Sequence, residues 1–419
     1  MMHAAVLVLA QYRTAVTVGG RSELRTRFTD ASVVAPGAGT GPVFDLSTAP
    51  TASVSANDRR TAHVLTYSPR LTLRGDALPG TNPELLQSAL LRSSWRARRV
   101  SLALTESASY GVRNFGDLST QQATATAAPP PAGQVGEPGR PLLPLQLLPT
   151  TRSITYGATS TTLSSVAVPA RRWSIGTGAT YAMSGGTDTE SQVFLPLQRS
   201  GSFDASVSYT LTRADRLVTS ATPAVTLIPK AICDYQPLPT VPPTAPLTCN
   251  RALQFLDVGE GWTRRWSRQT TTNFFAGASG RRIRLDAGVP FRTTVGPLLG
   301  AEVTHRMERT LYAATSRVGT VVDQRTGIPE TRVNLGAVAD WRHFRDALHG
   351  TVQYSQSVGA SSANTVHVVY GEASVTRRLS KRFDADTGVR VTWQESQGFH
   401  TVLTNVFVGL VYHEPRILF

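Results

Sequence analysis

Trp173-Ser174-Ile175-Gly176-Thr177-Gly178-Ala179-Thr180-Tyr181-Ala182-Met183 decides how the rest of the chain is read. Its odd positions form a mostly apolar stripe and its even positions are small or polar, the period-two mark of a β-strand with two unlike faces. The pattern returns in Phe203 to Leu211, set against Asp204 to Thr212, and in Phe383 to Trp393, whose other face carries Asp384, Asp386, Arg390 and Gln394. Further copies run over residues 65–73, 333–341, 348–358 and 402–412. Aromatics mark the ends of these stripes. Trp173 and Tyr181 stand at a spacing that rises about 20 Å at ~3.3 Å per residue and a tilt near ~40°. That is the height of the apolar band between the aromatic girdles of a membrane-spanning barrel, whereas a soluble sandwich buries its aromatics mid-strand.

Composition points the same way. Of 419 residues only 17% are charged, below the roughly 25% of ordinary soluble domains, and Ser, Thr, Gly and Ala abound, which excludes helical bundles and coiled coils. The longest apolar run, Ala4 to Ala10, is far short of the ~20 residues a spanning helix needs. The net charge of +14 is almost wholly arginine, since Lys occurs only as Lys230 and Lys381. Codon usage in a GC-rich genome accounts for that excess as readily as a functional demand does. With no basic block, no recognition-helix motif and no aromatic platform beside a basic cluster, nucleic acid is not an expected partner. Residues 1–10 read as the remnant of a secretory signal peptide without its basic region, and a short buried first strand is the alternative.

The second signal is a series of short basic turns: Asp58-Arg59-Arg60, Arg96-Ala97-Arg98-Arg99, Arg171-Arg172, Arg213-Ala214-Asp215-Arg216, Ser267-Arg268, Arg306-Met307-Glu308-Arg309, His343-Phe344-Arg345-Asp346 and Ser380-Lys381-Arg382. Most recur about 36 to 53 residues apart, which is two strands with one tight turn and one longer loop, so the hairpin is the repeating unit. Opposite the turns lie long Pro-rich stretches near 112–150 and 228–251. Eight hairpins, a strand near 12–28 and a last one near 400–412 predict an all-β fold: a transmembrane antiparallel β-barrel of about 18 strands, with 14 or 16 as alternatives. Residues 11–419 form this one domain, with short periplasmic turns and longer extracellular loops. The pair around 294–322 is the weakest in pattern.

If the apolar stripe faces lipid, the alternate residues face the lumen. The first strand then presents Arg21, Glu23, Arg25 and Arg27 inward, joined by Arg70, Arg74, Asp340, Arg342, Asp384, Asp386 and Arg390 as further lumen candidates. Arginine inside a pore favours anionic or hydroxyl-rich solutes, because its planar donors match carboxylate and phosphate. Charged ladders that merely brace the wall are the other reading. Glu106 and Glu260 fall on the apolar stripe, and a β-bulge that turns each away from lipid is expected, as are bulges or strand ends at Pro69 and Pro223. Cys233 and Cys249 bracket a Pro-rich outer-loop segment, where a disulfide closes a ring of about 17 residues and adds roughly 3 kcal/mol in the loop-entropy account. No metal site, cofactor or catalytic motif is expected: the eight His residues are scattered, and His305, His349 and His367 read as rim or lumen polar groups.

The chain ends in Arg416-Ile417-Leu418-Phe419, and a terminal Phe after an alternating strand resembles the recognition signal of Gram-negative outer-membrane barrels, although Pro415 interrupts the alternation. Together with the size, the strand count and segments such as Leu65-Thr66-Tyr67-Ser68-Pro69-Arg70-Leu71-Thr72-Leu73-Arg74, the chain is similar to the integral barrels encoded beside exopolysaccharide-export systems. The resemblance implies a plug-free barrel in the outer membrane, surrounded by lipid and lipopolysaccharide and meeting a periplasmic polysaccharide-export protein. It further implies a passive, non-enzymatic conduit for a secreted polysaccharide or another polar solute. A general diffusion porin and a structural or adhesive barrel with a filled lumen are the alternatives.

Overall fold

A computed structural model describes residues 13–29, 43–74, 83–115, 152–194, 196–232, 248–284, 288–322, 329–358, 366–396, 399–413 and 417–418. The chain order is β1 (Arg13–Thr29), β2 (Val43–Asn57), β3 (Thr61–Tyr67), β4 (Arg70–Arg74), β5 (Glu84–Arg96), β6 (Val100–Phe115), β7 (Arg152–Ala170), β8 (Trp173–Gly186), a helical turn α1 (Thr189–Phe194), β9 (Gln198–Thr210) and β10 (Asp215–Ile232). It continues with β11 (Thr248–Arg265), β12 (Thr270–Arg284), β13 (Arg292–Arg306), β14 (Thr310–Val322), β15 (Pro329–His343), β16 (Asp346–Val358), β17 (Val366–Arg378), β18 (Phe383–Ser396), β19 (Phe399–His413) and β20 (Ile417–Leu418).

Neighbouring wall strands pair antiparallel in chain order, and β19 pairs back onto β1, so the sheet closes. The segments β3 and β4 share their partners β2 and β5 and make one wall strand, which brings the barrel to eighteen. All eight short basic turns lie at one end, called here the turn side, and the longer connections lie at the other, the loop side. The short β20 lies beside the start of β1, offset by one residue from the register of β19, as the interruption at Pro415 leads one to expect.

The two faces follow the sequence alternation. Trp173, Ile175, Tyr181, Phe203, Val207, Val389, Val391 and Val408 are exposed on the outer face. At the turn-side edge of that face Trp173 packs tilted against Tyr209 (4.7 Å between ring centres) and Phe383 against Tyr412 (5.1 Å), and Trp262 stacks on Phe274 (5.8 Å). Tyr110 and Tyr181 mark the outer face nearer the loops. Large apolar residues exposed in a closed ring and bounded by aromatics make the surface a membrane barrel turns to lipid.

Several local expectations are corrected. Pro69 takes the expected strand end, lying between the end of β3 at Tyr67 and the start of β4 at Arg70, whereas Pro223 makes neither a bulge nor an end, because β10 pairs in the same register on both sides of it. An imide that lacks its N–H costs one ladder bond and need not displace the strand. The register instead shifts between Ala167 and Ala170 and between Ile228 and Ala231, around Pro169 and Pro229. Glu106 and Glu260 are not turned inward either. Both sit in unbroken register and exposed on the outer face, Glu106 level between Leu102 and Tyr110. A one-residue slip at Glu106 flips every later side chain of β6, Tyr110 included, and one carboxylate on the lipid face costs less than that and less than an Arg or Lys there. The strands also reach further into the two long loops than expected, to Phe115, Ile232 and back to Thr248. The remainder of those loops, Cys233 and the signal-peptide segment lie outside the described residues. Cys249 is disulfide-bonded.

On the loop side α1 is capped by Asp188, whose Oδ1 accepts from the Ser191 N–H (2.7 Å) and whose Oδ2 accepts from the Ser191 hydroxyl (2.8 Å). The same hydroxyl accepts from the Thr155 N–H at 3.0 Å and ties the turn to β7. Gly186 has no room for a side chain here, since a Cβ would fall 2.4 Å from the Ser191 carbonyl carbon. The bonds from Ser191 hold the Asp188 carboxyl below its ordinary range. A depressed carboxyl contributes stability that is present above the unfolded-state value and is lost as pH falls through the folded one. Asp188→Ala is therefore expected to speed amide exchange at Ser191 and Gln192 at neutral pH, with the gap from the parent closing under acid.

Candidate functional site

The inner wall has three sectors. At the closure seam, Arg21 and Glu23 of β1, Asp386 and Arg390 of β18, and Tyr370 and Glu372 of β17 face the interior together. The Arg21 guanidinium contacts Asp386 at 2.5 Å and Glu23 at 3.0 Å. Arg390 reaches Glu23 at 3.4 Å and Glu372 at 3.1 Å, and lies 4.1 Å from the centre of the Phe407 ring. The Tyr370 hydroxyl donates to Glu372, and the Thr376 hydroxyl donates to Asp386 at 3.2 Å. Glu23, Asp386 and Arg390 are buried. Charges removed from water in this way are tolerable only when each faces an opposite partner, as these do. Beside them Thr351, Thr392, Gln394 and Asn405 are buried on the same wall.

A second ionic cluster lies on β11 and β12. Asp257 pairs with Arg281 at 2.7 Å and accepts from the Ser279 hydroxyl, and Arg281 lies over the Phe255 ring at 4.7 Å. Towards the loops this sector carries an apolar cluster of Ile228, Leu253 and Ile283. At the seam two guanidinium groups face three carboxylates, and in the second cluster Asp257 holds Arg281, so these arginines are braced rather than presented as free positive charge.

The third sector, on β3 to β8, is different in kind. Thr66, Ser68, Ser88, Ser107, Ser109, Ser160 and Ser184, with Leu90, Ala158 and Ala182 among them, surround a recess of about 600 Å³. Apart from Leu90 the inward side chains are short, so the wall stands back from the axis. They carry hydroxyls, so each offers a donor and an acceptor without charge.

Of the candidates named from sequence, Arg21, Glu23, Asp386 and Arg390 are brought together at the seam. Asp340 and Asp384 also face inward, each held by a histidine: His349 Nδ1 stands 2.6 Å from Asp340 and His413 Nε2 stands 3.1 Å from Asp384. Arg70 shares its face with buried Thr72. Arg342 lies at the turn-side mouth, apart from the clusters. Arg25, Arg27 and Arg74 hold the strand positions expected of them, and their side chains lie outside the described ones. Sequence reading missed Glu372, Asp257, Arg281 and the hydroxyl sector. The parity that finds Asp384 also marks Asp257 between Leu256 and Val258. Glu372 was obscured because Val366-His367-Val368-Val369-Tyr370 is apolar on both faces.

Solved structures of similar fold are membrane transporters. The FrpB iron transporter from Neisseria meningitidis (F3-3 variant) matches at a TM-score of 0.51 and 10% identity, over 98% of this chain and 83% of that one. The copper transporter OprC matches at a TM-score of 0.51 and 10% identity, over 96% and 80%. Identities this low establish a shared barrel architecture and nothing about cargo. No curated protein sequence matches the chain. A family model described as the EpsX exopolysaccharide export family matches residues 7–230. That match spans more than half of a chain whose eighteen strands close into an outer-membrane type of barrel, and the protein belongs to the EpsX exopolysaccharide export family.

Proposed function

We propose that the barrel spans the outer membrane with its turn side in the periplasm and serves as a passive conduit for a secreted polysaccharide or another polar solute. The observation that carries this is the recess of Ser and Thr side chains on the inner wall. A sugar chain is held by exchangeable hydrogen bonds to uncharged hydroxyls, and such contacts are weak enough to be left again, as conduction requires. Both ends of the wall, β1 and β19, begin and finish on the turn side, the arrangement of outer-membrane barrels with short periplasmic turns. Phospholipid and lipopolysaccharide then surround the apolar band, and a periplasmic polysaccharide-export protein meets the turn side. The chemistry asked of the wall is passage, which needs no catalytic residue.

One observation favours a second reading, a structural barrel with a filled lumen: Gln394 and Asn405 face inward yet are almost fully inaccessible. Planar bilayers separate the two. A conduit gives steady single-channel current, and Ser109→Trp, which fills the recess, is expected to lower it severalfold, while Thr161→Trp on the lipid face leaves it unchanged. A barrel that folds and inserts without current is a filled one. An open barrel whose deletion leaves polysaccharide export intact is a diffusion pore.

A further inference from the structure

The chain's net charge is gathered at one mouth. The eight turn segments, residues 57–60, 96–99, 171–172, 212–215, 264–268, 306–309, 342–346 and 377–382, hold nineteen Lys and Arg against four Asp and Glu, enough to account for the whole excess of +14. The wall's parity sorts these residues. Where a strand meets its turn, the outward position is often aromatic, as at Trp95 and Trp341, and the next position, on the inward parity, is arginine. Three pairs of these arginines extend the ladder register and stand directly opposite one another. The Arg96 N–H donates to the Arg60 carbonyl (2.7 Å), Arg342 to Arg309 (2.8 Å) and Arg378 to Arg345 (2.7 Å). All six side chains are exposed, and none pairs with a carboxylate among the described residues.

Like charges directly opposite on adjacent strands repel. A wall that repeats this arrangement three times around one mouth, while facing its buried charges with opposite partners, bears the repulsion where an arriving anion relieves it. The inward parity separates this collar from the aromatic belt that meets lipid. We infer that the turn-side collar captures an anionic polysaccharide, one bearing carboxylate or phosphate groups, and feeds it to the uncharged hydroxyl wall. This names the substrate class of the conduit proposed above and rests on that reading. Each opposed pair offers two planar donor sets to one acidic group, and the ring as a whole focuses a polyanion onto the entrance.

The test uses the full-length barrel in planar bilayers, with oligogalacturonate or a neutral malto-oligosaccharide of equal length added to each compartment in turn. Blocking events with the acidic oligomer are expected to be at least ~10-fold more frequent than with the neutral one, from one compartment only. The ratio should fall towards one in 1 M salt, where the screening length shrinks to about 3 Å. It should fall likewise in a variant carrying Arg60→Gln, Arg96→Gln, Arg309→Gln, Arg342→Gln, Arg345→Gln and Arg378→Gln, whose folding is checked by heat-modifiable gel migration. Equal blocking by the two oligomers overturns the proposal, as does a ratio that survives in the folded variant. So does a variant that loses only its affinity for phosphatidylglycerol vesicles, because the arginines then serve lipid headgroups. A barrel that carries no current, yet binds oligogalacturonate in detergent through these six residues, removes the conduit and upholds the collar. If the six-residue variant does not fold, the three single-pair variants are read the same way, each expected to lose part of the ratio.

Discussion

Replacing Arg390 by leucine lowers the stability of the barrel by about 3–5 kcal/mol, the cost of leaving buried carboxylates without their counter-charge. The guanidinium is the shared partner of Glu23 on β1 and Glu372 on β17, so its removal leaves Glu372 without a counter-charge and Glu23 with Arg21 alone, which Asp386 also claims. Urea unfolding in lipid vesicles, followed by tryptophan fluorescence, gives the size of the loss. The same substitution combined with Glu23→Gln and Glu372→Gln should recover most of it, because the variant then buries no unpaired ion. An unchanged midpoint for Arg390→Leu means that water reaches the seam and that the cluster contributes nothing to closure.

Val408→Arg should be nearly as damaging, for the opposite reason. Val408 is exposed on the outer face of β19, four residues from the girdle residue Tyr412, which places it in the middle of the apolar band. Arginine at that depth costs ~2–4 kcal/mol on the lipid face of a barrel. Ser160→Arg, lining the inner recess, should change stability by no more than about 0.5 kcal/mol, since the new charge meets solvent. Folded yield in lipid vesicles measures both. Equal damage from the two changes refutes the assignment of inner and outer faces on which the site rests. The carboxylate of Glu106, at similar depth on the outer face, does not contradict the expected penalty, because acidic groups are the less costly ones there.

Much of the architecture was legible because its causes are local. Alternation needs only the pleat of a single strand, so Trp173 to Met183 declared its lipid face without reference to any partner. Each short turn joins neighbours, so the series of basic turns located eight hairpins. The region around residues 294–322 was faint because Pro297-Leu298-Leu299 is apolar on both faces, Leu298 packing inward while Leu299 faces out. The expected breaks in the ladder at Glu106 and Pro223 failed for a common reason. Both were argued from the discomfort of one residue, whereas register is held by the summed bonds and faces of the whole strand.

The order of residues along the chain therefore determined the strands, their two faces, the side on which the turns lie and the approximate size of the ring. Closure decided the rest. Arg21 and Asp386, or Glu23 and Arg390, are separated by nearly the full length of the chain and become neighbours only when the last strand meets the first. Which charges neutralise one another, which arginines remain opposed at the mouth, and where short hydroxyl side chains adjoin to form one recess depend on lateral register between strands. A single strand cannot encode that, because a side chain's energy on this wall is set by the residue across the ladder rather than by its neighbours in sequence.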